Sequence, residues 1–179
     1  IITGEASSSF GILLTPGDFN ADGKTDLSVG AESYSSGTGR AYLFYNGSII
    51  TENASGADVI ITGEASSFFG FSLASGDFNA DGKIDLVVGA RVYSTNTGRA
   101  YLFYNGSIIT ENASGADIII TGETTGNYFG SSLTSGDWNA DGKTDLAVGA
   151  YTYSSNTGRA YLFYNGSIIT ENASGADII

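Results

Sequence analysis

Apolar residues fall in short runs that are repeatedly cut by Gly, Asn, Asp and Ser, the punctuation of strands and turns and not of long helices. In the middle third of the chain the pattern predicts four strands. The first is Phe71 to Phe78, the second Ile84 to about Tyr93, the third Arg99 to Tyr104, and the fourth Asp117 to Gly122. A Thr-Gly pair opens the third and Asn105-Gly106 closes it, a strong turn signal. Several runs are apolar at every position, so both faces of such a sheet must be covered. A four-stranded sheet cannot do that alone, whereas like sheets stacked around an axis can, which is the logic of a β-propeller.

The pattern occurs three times. Asp18, Asp77 and Asp137 are equivalent, at spacings of 59 and 60 residues, the extra residue lying in Thr124-Thr125-Gly126-Asn127-Tyr128. Thr38–Asp58 recurs unchanged at Thr97–Asp117 and Thr157–Asp177. The expected architecture is all-β, with three four-stranded antiparallel propeller blades at 1–59, 60–118 and 119–179 in one continuous array.

Between the first two strands of each repeat lies one charged loop, D-x-N-x-D-G-x-x-D. Its members are Asp18, Asn20, Asp22, Lys24 and Asp26, then Asp77, Asn79, Asp81, Lys83 and Asp85, then Asp137, Asn139, Asp141, Lys143 and Asp145. Three carboxylates, an amide and the lysine's backbone carbonyl supply only oxygen, and the glycine permits a sharp turn, so each loop is a candidate for one Ca²⁺. Carboxylates this close in sequence repel unless a cation neutralises them. An EF-hand is excluded because Val29, Val88 and Val148 stand where its bidentate Glu belongs.

Composition narrows the chemistry. With no Cys and no His among 179 residues, disulfides, thiol chemistry and the commonest general base are absent, and no enzyme activity is expected. A formal charge of −12 argues against nucleic-acid binding, and three Ca²⁺ would bring it to −6. No apolar run is long enough to span a membrane.

Phe10-Gly11 with Val29-Gly30-Ala31, Phe69-Gly70 with Val88-Gly89-Ala90, and Phe129-Gly130 with Val148-Gly149-Ala150 each bracket one of the acidic loops. The combination resembles FG-GAP repeats, the blades of the β-propeller heads of integrin α chains and of similar extracellular proteins. The resemblance implies Ca²⁺-stabilised blades, a role in adhesion or ligand binding, and a location outside the cell or at its surface. The proline that ends the family motif is replaced here by Glu32, Arg91 and Tyr151.

Three blades are fewer than the four to eight of typical propellers. The chain ends Asp177-Ile178-Ile179 and begins Ile1-Ile2-Thr3, halves of what is one strand inside the chain, which predicts head-to-tail self-association into a six-bladed dimer or an open filament, the alternative being an array that continues in a longer parent protein. The expected function is adhesion or binding of a protein or glycan ligand, the alternatives being a purely structural self-assembling protein or a lectin-like propeller. Glu32, Arg91 and Tyr151 are candidate ligand residues because the copies differ there. Tyr42, Tyr101 and Tyr161 read as core residues and, in the lectin reading, as candidate sugar-stacking faces. Arg40, Arg99 and Arg159 are expected to pair with acids between strands. Asn46, Asn53, Asn105, Asn112, Asn165 and Asn172 head Asn-x-Ser sequons and would accept glycan in a secretory pathway.

Overall fold

In the computed structural model the described residues are 1–47, 49 and 52–179; Ser48, the third residue of the Asn46 sequon, falls outside them. Around the first repeat lie β1 (Ile2–Thr3), β2 (Leu14–Gly17), β3 (Asp26–Ala31), β4 (Arg40–Phe44), β5 (Glu52–Asn53) and β6 (Val59–Thr62). The second contributes β7 (Phe69–Gly76), β8 (Asp85–Ala90), β9 (Arg99–Phe103), β10 (Glu111–Asn112) and β11 (Ile118–Thr121). The third contributes β12 (Phe129–Gly136), β13 (Asp145–Ala150), β14 (Arg159–Phe163) and β15 (Glu171–Asn172).

These strands form three blades. The order β2-β3-β4-β6 in the first and β7-β8-β9-β11 in the second is antiparallel throughout. In the third, β12-β13-β14 form the sheet and Ile178 bridges to Leu162 where a fourth strand would start. β6 runs across the 59/60 boundary, so the sheet unit is offset from the sequence unit. The blades do not close into a ring.

The first and second blades also receive a strand the sequence does not announce. β10 pairs in parallel with β6, and β15 with β11, so the connection after the third strand of one blade adds an edge to the blade before it. β1 and β5 make the equivalent pair at the start of the chain. The expected second strand is shorter than read, ending at Ala90, because the chain turns at once through Tyr93–Asn96 with Ser94 and Thr95 at left-handed φ.

Of three buried clusters among the described residues, one lies within the first repeat, around Val29, Tyr42 and Phe44, and the two larger ones lie between blades. One cluster joins Leu43, Val59 and Ile61 of the first blade to Leu73, Leu86 and Val88 of the second, and another joins Val87 and Leu102 to Leu146, Val148 and Phe163. The two halves of the repeat motif meet across this seam. Phe69 is fully buried, and Gly70 follows it at φ +87° in an irregularity of the β7–β8 register, where a Cβ would lie 2.2 Å from Arg40 O. The Gly70 carbonyl in turn approaches Gly30 so closely that a Cβ there would lie 2.1 Å from it. Both glycines are required by backbone packed on backbone, as are Gly130 and Gly89 one blade later.

Candidate functional site

The acidic loops link the first two strands of each blade, β2 to β3, β7 to β8, and β12 to β13, all at the same end. In the first, Asp18 Oδ1 accepts from Asp22 N (3.0 Å) and Asp18 Oδ2 from Gly23 N (2.8 Å). Asn20 Oδ1 also accepts from Asp22 N at 3.0 Å, and Asp22 Oδ1 from Lys24 N at 2.9 Å. The same bonds recur in the second and third loops. The loops therefore wrap around their own acidic oxygens while those side chains stay at the surface.

The ninth position behaves differently. Asp26, Asp85 and Asp145 are buried. Asp85 Oδ2 accepts from Phe78 N at 2.9 Å and Oδ1 from Asn105 N at 2.8 Å, so it ties the loop to the turn after the third strand. Asp26 and Asp145 do the same with Phe19 and Asn46, and with Trp138 and Asn165. Burial, and then repulsion from Asp81 and Asp77, pushes the Asp85 carboxyl up to about 6, even though the two N–H donors favour its ionised form.

Among the described residues, no three carboxylates converge on one point closely enough to hold a metal ion. The donor set nevertheless fits a hard cation. It is all oxygen, each accepting oxygen retains a lone pair, and Asp77, Asp81 and Asp85 lie close enough to raise one another's energy.

The turn asparagines reach farther than their motif suggests. Asn105 Nδ2 donates to Asp18 O (3.0 Å) in the first loop as well as to Ile84 O (3.2 Å) in its own blade. Asn165 Nδ2 likewise donates to Phe78 O at 2.8 Å. Among the described residues, Asn46 Nδ2 reaches Thr25 O, at 3.4 Å. Asn53, Asn112 and Asn172 are exposed, and Asn172 Nδ2 donates to Gly122 O.

At the opposite end the three variable positions align. Arg91 Nη2 lies 3.5 Å from Glu32 Oε2, its guanidinium sits 4.0 Å above the Phe71 ring and 5.8 Å from that of Tyr128, and Tyr128 packs on Tyr151 at 5.3 Å. Glu32 and Arg91 are mostly covered, whereas Tyr151 is 52% exposed. Beside Tyr151 the inserted segment opens a cleft of about 750 Å³ whose lining includes Thr124, Asn127, Tyr128, Thr152 and Asn156.

Tyr42, Tyr101 and Tyr161 offer no stacking face. All three are fully buried, and the Tyr42 and Tyr101 hydroxyls donate to Glu5 and Glu64. Those acids and Glu123 also hold Arg40, Arg99 and Arg159, at 2.9, 3.1 and 3.0 Å, and each guanidinium lies over Tyr34, Tyr93 or Tyr153. Burial, with the neighbouring carboxylate, pushes all three buried phenols up, Tyr161 to about 12.

Three blades of β-propeller type, each carrying an acidic loop between its first two strands, define the class of repeat. The FG-GAP repeat matches at residues 10–44, 69–103 and 129–163, and the chain belongs to that family. It is 32% identical over 169 residues to integrin alpha-PS2 of Drosophila melanogaster, with 88% of this chain and 12% of that protein covered. It is 33% identical over 177 residues to phosphatidylinositol-glycan-specific phospholipase D of Bos taurus, covering 88% and 21%. To integrin alpha-6 of Gallus gallus it is 34% identical over 151 residues, covering 80% and 14%. The chain thus spans about a fifth or less of these relatives, which include both integrins and a phospholipase. Among the described residues no helix is long and apolar enough to cross a membrane.

Proposed function

We propose that this chain is a calcium-binding, non-catalytic, extracellular or cell-surface repeat protein that serves adhesion or ligand binding through its blades. The observation that carries the reading is the acidic loop, repeated three times with the same internal hydrogen bonds and the same buried ninth-position Asp. The side chains of Asp18, Asn20, Asp22 and Asp26 would hold the ion with the Lys24 carbonyl, and their counterparts would do so in the other loops. Bound Ca²⁺ would supply the charge that lets the clustered carboxylates approach one another. The buried ninth Asp fixes one wall of each site, and the backbone N–H groups preorient the others.

The ligand half of the reading rests on the other end of the blades. There the line from Glu32 through Arg91 to Tyr128 leads to a cleft lined by hydroxyls, amides, Glu123 and the half-buried rings of Tyr128 and Tyr153, with exposed Tyr151 packed on Tyr128 beside it, chemistry suited to a glycan or a polar peptide. An extracellular setting agrees with oxygen-donor sites of modest affinity, which fill at extracellular calcium levels, and with the integrin relatives.

Calorimetric titration with Ca²⁺ tests the first half. Three sites are expected, and a chain carrying Asp22→Ala, Asp81→Ala and Asp141→Ala should bind none; unchanged binding by that variant would refute the assignment. For the second half, Tyr151→Ala should lower retention on immobilised glycans or matrix proteins without altering Ca²⁺ affinity.

A further inference from the structure

Two asparagine side chains tie neighbouring acidic loops to each other, and they do so through the residues that orient the ninth-position carboxylates. From the second loop to the third the link can be followed atom by atom. Asp85, the buried ninth residue of the second loop, accepts at Oδ2 from Phe78 N (2.9 Å). The Phe78 carbonyl accepts from Asn165 Nδ2 (2.8 Å), across the seam between the blades. Asn165 N in turn donates to Oδ1 of Asp145 (2.9 Å), the buried ninth residue of the third loop. Hydrogen bonds therefore run from one ninth-position carboxylate to the other, with one residue of each blade between them.

The link from the first loop to the second uses the same parts. The peptide group joining Asp18 to Phe19 gives its N–H to Asp26 Oδ2 (2.9 Å), and its carbonyl accepts from Asn105 Nδ2 (3.0 Å). Asn105 N donates to Asp85 Oδ1 at 2.8 Å, and Asn105 Nδ2 also bonds Ile84 O, one residue before that carboxylate. Asp85 thus belongs to both links, one oxygen in each. Asp85 and Asn105 are buried, and in such surroundings each bond of a chain polarises the next. A clasp that served stability alone could end on any carbonyl of the neighbouring blade. These two end on the Asp18 and Phe78 carbonyls, beside the N–H groups that hold Asp26 and Asp85.

We propose that Asn105 and Asn165 are positioning residues that couple the three loops, so that filling one loop with Ca²⁺ raises the affinity of the next. The coupling rests on the calcium reading and adds regulation to it. A loop closed on its ion holds its ninth carboxylate still. That carboxylate fixes the adjoining Phe peptide, and the peptide fixes the asparagine of the following blade. The asparagine then presents its backbone N–H to the next ninth carboxylate, which has less disorder to lose on binding. Charge alone acts in the opposite direction, because a cation in one loop weakens the attraction of its neighbours for another.

Trp138 reports on the third loop, since it is that loop's second residue, its N bonds Asp145 Oδ2, and it is the chain's one tryptophan. Ca²⁺ is titrated into the wild-type chain, Asp81→Ala, Asn165→Ala and the double variant, with Trp138 emission reading the third loop and calorimetry counting all sites. Asp81→Ala disables the second loop. In the wild-type background it should move the third loop's midpoint about fivefold to higher Ca²⁺. In the Asn165→Ala background, whose folding circular dichroism checks, the shift should vanish or reverse, because the empty second loop is then felt through its charge alone.

A second measurement depends on neither Asn165→Ala nor the tryptophan. In Asp141→Ala, whose third loop cannot fill, hydrogen exchange at Asn165 N should still slow on adding Ca²⁺, more than at third-blade amides outside the link. Adding Asp81→Ala should remove that slowing. A chain that binds no Ca²⁺ by calorimetry overturns the calcium reading and the coupling with it. Sites that fill while Asp81→Ala leaves the third loop's midpoint in place, lowers it, or moves it equally with and without the Asn165 amide overturn the coupling alone, and the calcium reading stands with independent loops.

Discussion

Within each acidic loop the aspartates divide between two jobs. Asp22 is exposed, accepts one backbone N–H and has Lys24 Nζ 3.6 Å away, so on the proposed reading its value to the fold comes mainly through a bound cation. Asp85 is buried and holds the N–H groups of Phe78 and Asn105. Asp22→Ala should therefore lower the melting temperature in calcium and change it little in chelator, whereas Asp85→Ala should lower it in both. Each orphaned buried N–H costs about 1–3 kcal/mol, so the second loss is on the order of 3 kcal/mol. The spacing of the acids was legible in the sequence, but this division was not, because the Asn105 donor lies twenty residues beyond Asp85 and only the fold brings it back. The arginine partners were hidden in the same way, since Glu64 and Arg99 are 35 residues apart. The phenols in that network yield a pH prediction. Their folded pKa values are raised, so the stability they contribute is complete below about pH 10, the usual tyrosine value, and is lost as pH rises through the folded values, about 12 for Tyr161. Ultraviolet titration should show five of the eleven tyrosines ionising late, because burial raises Tyr45 and Tyr104 as well, with loss of fold as Tyr42, Tyr101 and Tyr161 ionise.

Among the elements, the turn after the third strand is the one whose sequence and structure tell different stories. Asn105-Gly106 reads as a simple hairpin turn and as a sequon, and it is also a clasp between blades. Asn105→Ala should cost about 1–2 kcal/mol by removing the amide that bonds the Asp18 and Ile84 carbonyls, while Asn46→Ala, whose amide among the described residues makes one long bond to Thr25, should cost about a few tenths. Denaturant midpoints compared at equal m will separate the two. In a secretory host, glycan should appear at exposed Asn53 and Asn112 and be missing from Asn105, whose amide is spoken for; peptide mass mapping decides it. The four strands of a blade were readable because β-branched and aromatic runs alternate with turn residues. The parallel addition of β10 to β6 was not, because a two-residue strand of Glu and Asn has no hydrophobic period and owes its conformation to the neighbouring edge.

For the molecule as a whole, the balance between packing and charge decides how much calcium matters. Its two larger clusters lie between blades, so each seam couples the folding of two repeats. Against this stands a formal charge of −12, with nine aspartates gathered in three loops at one end. For a site with a Kd of about 10⁻⁴ M, typical of extracellular modules, free Ca²⁺ near 10⁻³ M stabilises the folded state by about 1.4 kcal/mol. Three sites together would give roughly 4 kcal/mol, a sizeable part of the 5–15 kcal/mol that holds a typical domain. A change of this size in a chain this long corresponds to roughly 10 °C. Scanning calorimetry should therefore show the transition rising by about that much between chelator and millimolar Ca²⁺, at fixed protein concentration so that association does not contribute. Raising monovalent salt in chelator should recover only part of the gain, since screening weakens repulsion between loops but supplies no ion for the oxygens of one loop to coordinate. If salt alone restored the whole shift, the loops would be acting as a diffuse acidic surface, and the cation would have no specific place among Asp77, Asn79 and Asp81.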